Sequence, residues 1–252
     1  MSKTKVLAIS GSPRSRSLTD RMLDLCVKGM GDVELIKFYA YKLKFGPCLA
    51  CFSCWRETPG VCAQKDDFAQ VLEAYKTAQY VLVAAPVYVW GFPGPVKTMI
   101  DRFIPCVEPW MITGDDGVTR HPKRYEHSPK AALISSCGFP EMQHFDLMRA
   151  HFRTMCDNSG WTWAGEILLP GAAVYGIPGV FECKHDAIIS AGRELAAGAI
   201  SPQTTDEIAK PVLDPEDSRA LVNGYFEGGI SGKAKMAAVA VKAKVRSAKS
   251  GA

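Results

Sequence analysis

The run Val6-Leu7-Ala8-Ile9, continued by Ser10-Gly11-Ser12-Pro13-Arg14-Ser15-Arg16-Ser17-Leu18-Thr19, decides the fold. Four apolar residues in succession, ended by Ser-Gly-Ser-Pro, read as a short strand buried on both faces and feeding a loop. A helix follows, because Leu18, Met22, Leu25, Cys26 and Met30 fall at helical spacing. The same unit recurs along the chain. Val33 to Tyr39 is predicted as a second strand and Tyr80 to Ala85 as a third, stopped by Pro86. Ala131 to Ser135 is the fourth and Trp161 to Leu169 the fifth. Between them lie three more helical patterns. Asp66-Asp67 opens the first, with Phe68, Val71, Leu72 and Tyr75 as its apolar positions; acidic residues in a first turn suit the helix dipole. Pro93 to Ile104 carries Val96, Met99, Ile100 and Phe103 on one face, and Glu141 to Asn158 completes the set. Short apolar strands alternating with helices specify an open, doubly wound parallel sheet of α/β type, with right-handed crossovers. The polar, turn-rich stretch from Pro105 to Pro129 reads as an excursion from the core.

After Pro170 no strand signal returns. Helical patterns occupy about Cys183–Gly198, Thr204–Lys210 and Pro215–Phe226. This divides the chain into a main domain over 1–180, with a cysteine loop at 47–63, a helical C-terminal extension over 181–227, and a basic flexible tail over 228–252. Lys233, Lys235, Lys242, Lys244, Arg246 and Lys249 meet no Asp or Glu in that tail, so it reads as a solvated, frayed terminus and not as a nucleic-acid arm. The chain of 252 residues carries a net charge of only +4, with 47% hydrophobic and 22% charged residues, an ordinary globular composition. No signal peptide and no apolar run of about 18 residues are seen, so a cytoplasmic protein without a membrane span is expected. Nine cysteines in such a compartment are thiols, metal ligands or redox groups more often than disulfides.

The first loop has the position at which doubly wound folds hold a phosphate on helix N-terminal amides. It is neither G-x-G-x-x-G nor a P-loop. Hydroxyls dominate instead: Ser10, Ser12, Ser15, Ser17 and Thr19, with Arg14 and Arg16 beside them. A pyrophosphate needs close backbone approach and therefore glycines. A phosphate monoester offers three free oxygens to a cup of hydroxyl and amide donors, so a mononucleotide such as FMN suits this loop better than NAD or ATP. The plain alternative is a polar loop with Ser17 or Thr19 as a helix N-cap.

Ligands of such sheets lie beyond the carboxyl ends of the strands. After the third strand come Pro86, Val87, Tyr88, Val89, Trp90 and Gly91; after the fourth come Ser136, Cys137 and Gly138. Tyr88 and Trp90 offer flat apolar faces for a ring, although either alone also fits ordinary loop packing. Lys97 and Asp101, one turn apart, read as a surface pair, and Arg102 beside them as structural. His121, His127, His144, His151 and His185 have no metal-ligand spacing. Cys26 and Cys156 sit on apolar helix faces and read as core.

The other informative feature is Cys48-x2-Cys51-x2-Cys54-x7-Cys62. Three cysteines at every third position place three thiolates on one curl of backbone, and the fourth can close the set. Four thiolates suit a cubane iron–sulfur cluster. They also suit a structural zinc, although zinc sites more often use two separated C-x2-C pairs. Redox-active or merely tolerated thiols are the remaining readings. Trp55 either shields such a site from water or packs as a core aromatic.

The first loop with its Arg14 and Thr19, the four cysteines followed by Asp66-Asp67, Pro86-Val87-Tyr88, and Lys97 with Asp101-Arg102 together resemble the NADPH-dependent FMN reductase family, and within it the iron–sulfur flavoproteins. The resemblance covers about residues 4–200. It implies a flavodoxin-like five-stranded sheet in the order 2-1-3-4-5. It implies FMN, with its phosphate on Ser12, Arg14, Ser17 and Thr19, Pro86 to Gly91 lining the flavin, and Ser136 to Gly138 on the other side. One departure is Ser17-Leu18-Thr19, where the family often has Gly-Asn-Thr. The function so implied is FMN-dependent oxidoreductase and electron-transfer chemistry that couples a [4Fe-4S] cluster on Cys48, Cys51, Cys54 and Cys62 to FMN. The alternative is a cluster-free NAD(P)H-dependent FMN or quinone reductase, with NAD(P)H as co-substrate. A zinc-binding, non-catalytic module is a third reading. A homodimer or homotetramer, a ferredoxin-like donor, and quinone, oxygen or peroxide as acceptor are the expected partners; nucleic acid is not.

Overall fold

The computed structural model describes residues 3–250. Five parallel strands, β1 (Thr4–Ser10), β2 (Val33–Tyr39), β3 (Tyr80–Ala84), β4 (Lys130–Ser136) and β5 (Thr162–Leu169), form one sheet in the order β2-β1-β3-β4-β5. This is the order expected from the resemblance. Ser10 pairs with both Tyr39 and Ala84, and Ala84 pairs with Ile134. The carboxyl ends of β1 and β3 are therefore level, and the loops after β1, β3 and β4 open at one edge.

Side-chain alternation along the strands builds two cores. Val6, Ala8, Leu82, Ala84, Ala132 and Ile134 face α1 (Leu18–Met30). Leu7, Ile9, Val81, Val83, Ala131 and Leu133 face α3 (Phe68–Tyr75) and its neighbours on the other side. All five residues of β3 are buried, whereas β2 is a partly exposed edge. This explains why β1 and β3 read as continuous apolar runs and β2 did not.

A one-turn helix, α2 (Ser53–Arg56), sits in the cysteine loop, and α4 (Gly94–Asp101) follows the β3 loop. The excursion after α4 contains a small hairpin pairing Ile112–Thr113 with Thr119–Arg120. Then come α5 (Asp146–Ser159), α6 (His185–Ala197), α7 (Pro202–Ala209), α8 (Pro215–Glu227) and α9 (Gly229–Ser250). Ile188, Ala191 and Leu195 of α6 join the α1 core. A Cβ on Gly192 would run into the Cys26 carbonyl oxygen, and one on Gly29 into the Ile189 carbonyl oxygen, so the two helices meet backbone to backbone.

Where the sequence suggests a flexible tail, the structure has the helix α9. Its Val239 and Ala243 are buried, and its cations pair with α8 and that helix's cap: Lys242 with Asp217 at 2.7 Å, Lys235 with Glu227 at 2.7 Å and Arg246 with Asp214 at 3.3 Å. The anions that the tail lacks come from the preceding hairpin arm, which a scan along the tail does not see. Among the described residues no helix is long and apolar enough to cross a membrane.

In an open helix Gly→Ala gains about 1 kcal/mol. At Gly192 the clash should reverse the sign, and Gly192→Ala should lose about 1–3 kcal/mol. A lower urea midpoint at unchanged m checks this; an equal or higher midpoint would show that the two helices can part.

Candidate functional site

The loop after β1 is held close to the sheet. Gly11 N–H donates to the Ala84 carbonyl at 2.7 Å. A Cβ here would run into Val96 of α4 and lie 2.8 Å from the Ala85 Cβ, so only glycine fits. Ser17 is the N-cap of α1: its Oγ accepts from Asp20 N–H at 3.2 Å and lies 3.1 Å from Thr19 Oγ1. The plain capping role is thus real. Ser12 and Thr19 are buried, and Ser12 Oγ accepts from Arg14 N–H at 3.3 Å. Arg14 and Arg16 are exposed at the rim, with Arg16 in the left-handed region at φ 55°. Ser10 Oγ instead donates to Asp20 Oδ1 at 3.2 Å, beneath the loop. Asp20 is neutralised by Lys37 at 2.6 Å. Burial pulls the Lys37 ammonium down, but its bonds to Asp20 and Asp24 outweigh this and hold it well above the usual lysine range.

The β3 and β4 loops are tied together. Val87 N–H donates to the Ser136 carbonyl at 3.0 Å, and Ser135 Oγ donates to the Ala85 carbonyl at 2.7 Å. Tyr88 and Gly91 exchange two backbone bonds of 3.0 Å around Val89 (φ 49°) and Trp90 (φ 60°). Such tight turns normally use Asn-Gly. Two non-glycine residues held left-handed cost roughly 1–2 kcal/mol each, a strain of the kind that gathers at functional sites. The turn displays Tyr88, Val89 and Trp90 to solvent. Trp90 Nε1 donates to His144 Nδ1 at 3.1 Å, and the His144 ring lies 4.4 Å from that of Phe139. Cys137 is buried, which pushes its thiol up, and its N–H donates to the Leu169 carbonyl; Gly138 faces open space.

The chain leaves β2 at this edge, beside Ser10, and runs on into the cysteine loop. Ala50 and Phe52 are left-handed, at φ 50° and 56°, on either side of Cys51. Cys48, Cys51, Cys54 and Cys62 all line one pocket, together with Arg102, Ile104 and Pro105. Burial pushes the Cys54 thiol up, and the other three cysteines add to the effect. The Ser53 amide pulls that of Cys51 down. Among the described residues no group of three or more His, Cys, Asp or Glu is gathered tightly enough for a single metal ion. Trp55 Nε1 donates to the Ile104 and Val107 carbonyls at 3.2 and 2.9 Å, fastening the loop to the excursion.

Two residues hold this arrangement, and sequence reasoning saw neither role. Arg102, only 1% exposed, donates to Asp66 through both terminal nitrogens, at 2.8 and 3.0 Å. It also donates to the Gly46 carbonyl at 2.8 Å and to Cys62 Sγ at 3.3 Å. Asp66 accepts in addition from Gly46 N–H and Phe68 N–H, at 3.2 and 3.1 Å. Burial raises the Asp66 carboxyl, but the bonds from Arg102 and the two amides outweigh it and hold it below the usual carboxylate range. The adjacent pair Lys97–Asp101 is the exposed surface bridge expected from the sequence. The only sequence signal for the clamp was the presence of Asp66 and Arg102 in the family resemblance.

Residues 4–111 match the family model described as NADPH-dependent FMN reductase. A curated iron-sulfur flavoprotein from Archaeoglobus fulgidus is 37% identical over 102 residues, 39% of this chain and 48% of the relative. One from Methanosarcina thermophila is 28% identical over 102 residues, 40% of this chain and 52% of the relative. The chain thus matches about half the length of these curated relatives, and the similarity lies in the same N-terminal segment whose loops carry the resemblance. Among solved structures, an NAD(P)H:quinone oxidoreductase from Methanothermobacter marburgensis aligns with TM-score 0.56 at 16% identity, over 77% of this chain and 98% of that one. An FMN-dependent NADH-azoreductase from Bacillus anthracis, in complex with FMN, aligns with TM-score 0.57 at 13% identity, over 77% and 99%. At such identities these two establish the fold alone.

Asp66→Ala strands a buried guanidinium and should cost about 3–5 kcal/mol at neutral pH. A carboxyl lowered in the folded state stabilises above its unfolded value of about 3.9, and that contribution is lost as pH falls through the lower folded value. The stability gap between wild type and variant, read by urea titration, should therefore narrow in acid. A gap independent of pH would show that the charge of Asp66 is not what matters.

Proposed function

We propose that this chain is an FMN-dependent oxidoreductase that carries a four-iron cluster on Cys48, Cys51, Cys54 and Cys62 and passes electrons between it and FMN. The observation that carries the reading is the single pocket ringed by all four cysteines and by a buried arginine. Four thiols lining one pocket, backed by a buried cation, supply the donor set and the counter-charge that a cluster with net negative charge requires. The buried Arg102 Nε has no partner within the protein, and cluster sulfide is an acceptor of the right kind.

For FMN, the fit lies in the first loop. Gly11 draws the chain down onto β3, and the buried hydroxyls of Ser12 and Thr19 stand at the N-terminus of α1. Ser12, Arg14, Ser17 and Thr19 bind the phosphate in this reading, while Ser10 supports the loop from below through Asp20. Pro86, Val87, Tyr88, Val89, Trp90 and Gly91 orient the ring, and Ser136, Cys137 and Gly138 close its other side. The strained turn at Val89-Trp90 presents an aromatic face without spending a longer loop. Bound together, the two cofactors supply exchange between one-electron and two-electron chemistry, so no acid–base side chain is required of the protein.

A homodimer or homotetramer, a ferredoxin-like donor, and a quinone, oxygen or peroxide acceptor belong to this reading. The exposed Leu49, Phe52 and Val61 on the cysteine loop support a contact there. A cluster-free NAD(P)H-dependent FMN or quinone reductase is the second reading; the family model matched over residues 4–111 favours it.

Cys51→Ala separates the two. Under the first reading, iron and acid-labile sulfide fall to background in protein purified without oxygen, while FMN stays at wild-type occupancy. Wild-type protein that binds FMN without iron and is bleached by NADPH would establish the second.

A further inference from the structure

We propose that Arg102 sets the reduction potential of the group held by the four cysteines, raising it by a buried positive charge and direct hydrogen bonds. The inference rests on the cluster reading above and names a residue that tunes that site.

Three observations carry it. Arg102 lies on the wall of the cysteine pocket and is almost wholly buried, so its charge acts through little water. Its Nη2 reaches Cys62 Sγ at 3.3 Å, a hydrogen bond to a ligand sulfur. Its Nε–H is buried and has no acceptor in the protein. A buried donor left unsatisfied is costly, and an acceptor in the pocket would relieve it. The side chain cannot turn away, because Asp66 grips both terminal nitrogens and the Phe68 ring lies 4.9 Å from the guanidinium carbon.

One-electron reduction adds a negative charge to the cluster without breaking a bond. A fixed cation and N–H donors stabilise the reduced form more than the oxidised one, and hydrogen bonds to cluster sulfurs and net charge are recognised levers on such potentials. Asp66 opposes part of this effect, but Arg102 itself lines the pocket and bonds Cys62 directly.

The test is a potentiometric titration of the full chain with dithionite under argon, the reduced cluster being followed by electron paramagnetic resonance. Wild type, R102Q and R102K are compared, and iron is assayed in each. R102Q removes the charge and the fork; R102K keeps the charge but has no Nε–H. We expect R102Q to favour the oxidised cluster by about tenfold, a drop of about 59 mV for a one-electron couple, with R102K between it and wild type. Where R102Q holds no iron, R102K decides, and a lowered potential there supports the proposal. Wild-type potential in every loaded variant would overturn it, as would loss of iron from both variants, which would make Arg102 a scaffold of the loop. Wild-type protein without iron would overturn the cluster reading itself, and the inference with it.

Discussion

The Arg102–Asp66 ion pair is the interaction on which the site depends. Asp66 ties the start of the cysteine loop, at Gly46, to the start of α3, at Phe68, and Arg102 brings in the far end of α4. Three segments distant in sequence thereby close around one pocket. A buried ion pair of this kind adds little to net stability, because desolvation of the two charges offsets their attraction. What it gives is a single geometry. The loop holds only one turn of helix, so its shape depends on such side-chain ties, the Trp55 bonds to the Ile104 and Val107 carbonyls among them.

The loops after β1, β3 and β4 depend on a different constraint, the parallel register of those strands. Ser10 pairs with Ala84, and Ala84 with Ile134, so three loops leave the sheet close together. The Gly11–Ala84 and Val87–Ser136 backbone bonds then stitch neighbouring loops. The first loop therefore lies against α4 as well as against the sheet. Because Arg102 follows directly on α4, one helix braces the first loop at Val96 and the cysteine pocket six residues further on.

Much of this was legible in the sequence. Continuous apolar runs such as Val6–Ile9 and Tyr80–Ala84 mark strands buried on both faces, and here they gave both the sheet and its helices. The loops after β1, β3 and β4 were identifiable because they follow those strands. Pairing across distance was not legible. Arg102, beside the surface pair Lys97–Asp101, read as structural, but its partner, a carboxylate of another segment, was not visible. Ser10 read as one of a row of hydroxyls, yet Asp20 captures it. The basic tail read as solvated because its anions, Asp214, Asp217 and Glu227, precede it on α8. In each instance local composition was correct and the partner lay elsewhere in the chain.

The central claim is that one chain holds both a cluster and a flavin. The most direct measurement is the content of iron, acid-labile sulfide and FMN per chain in protein purified without oxygen. The account predicts about four irons and four sulfides beside one FMN. FMN with neither iron nor sulfide, or one zinc in their place, would contradict it.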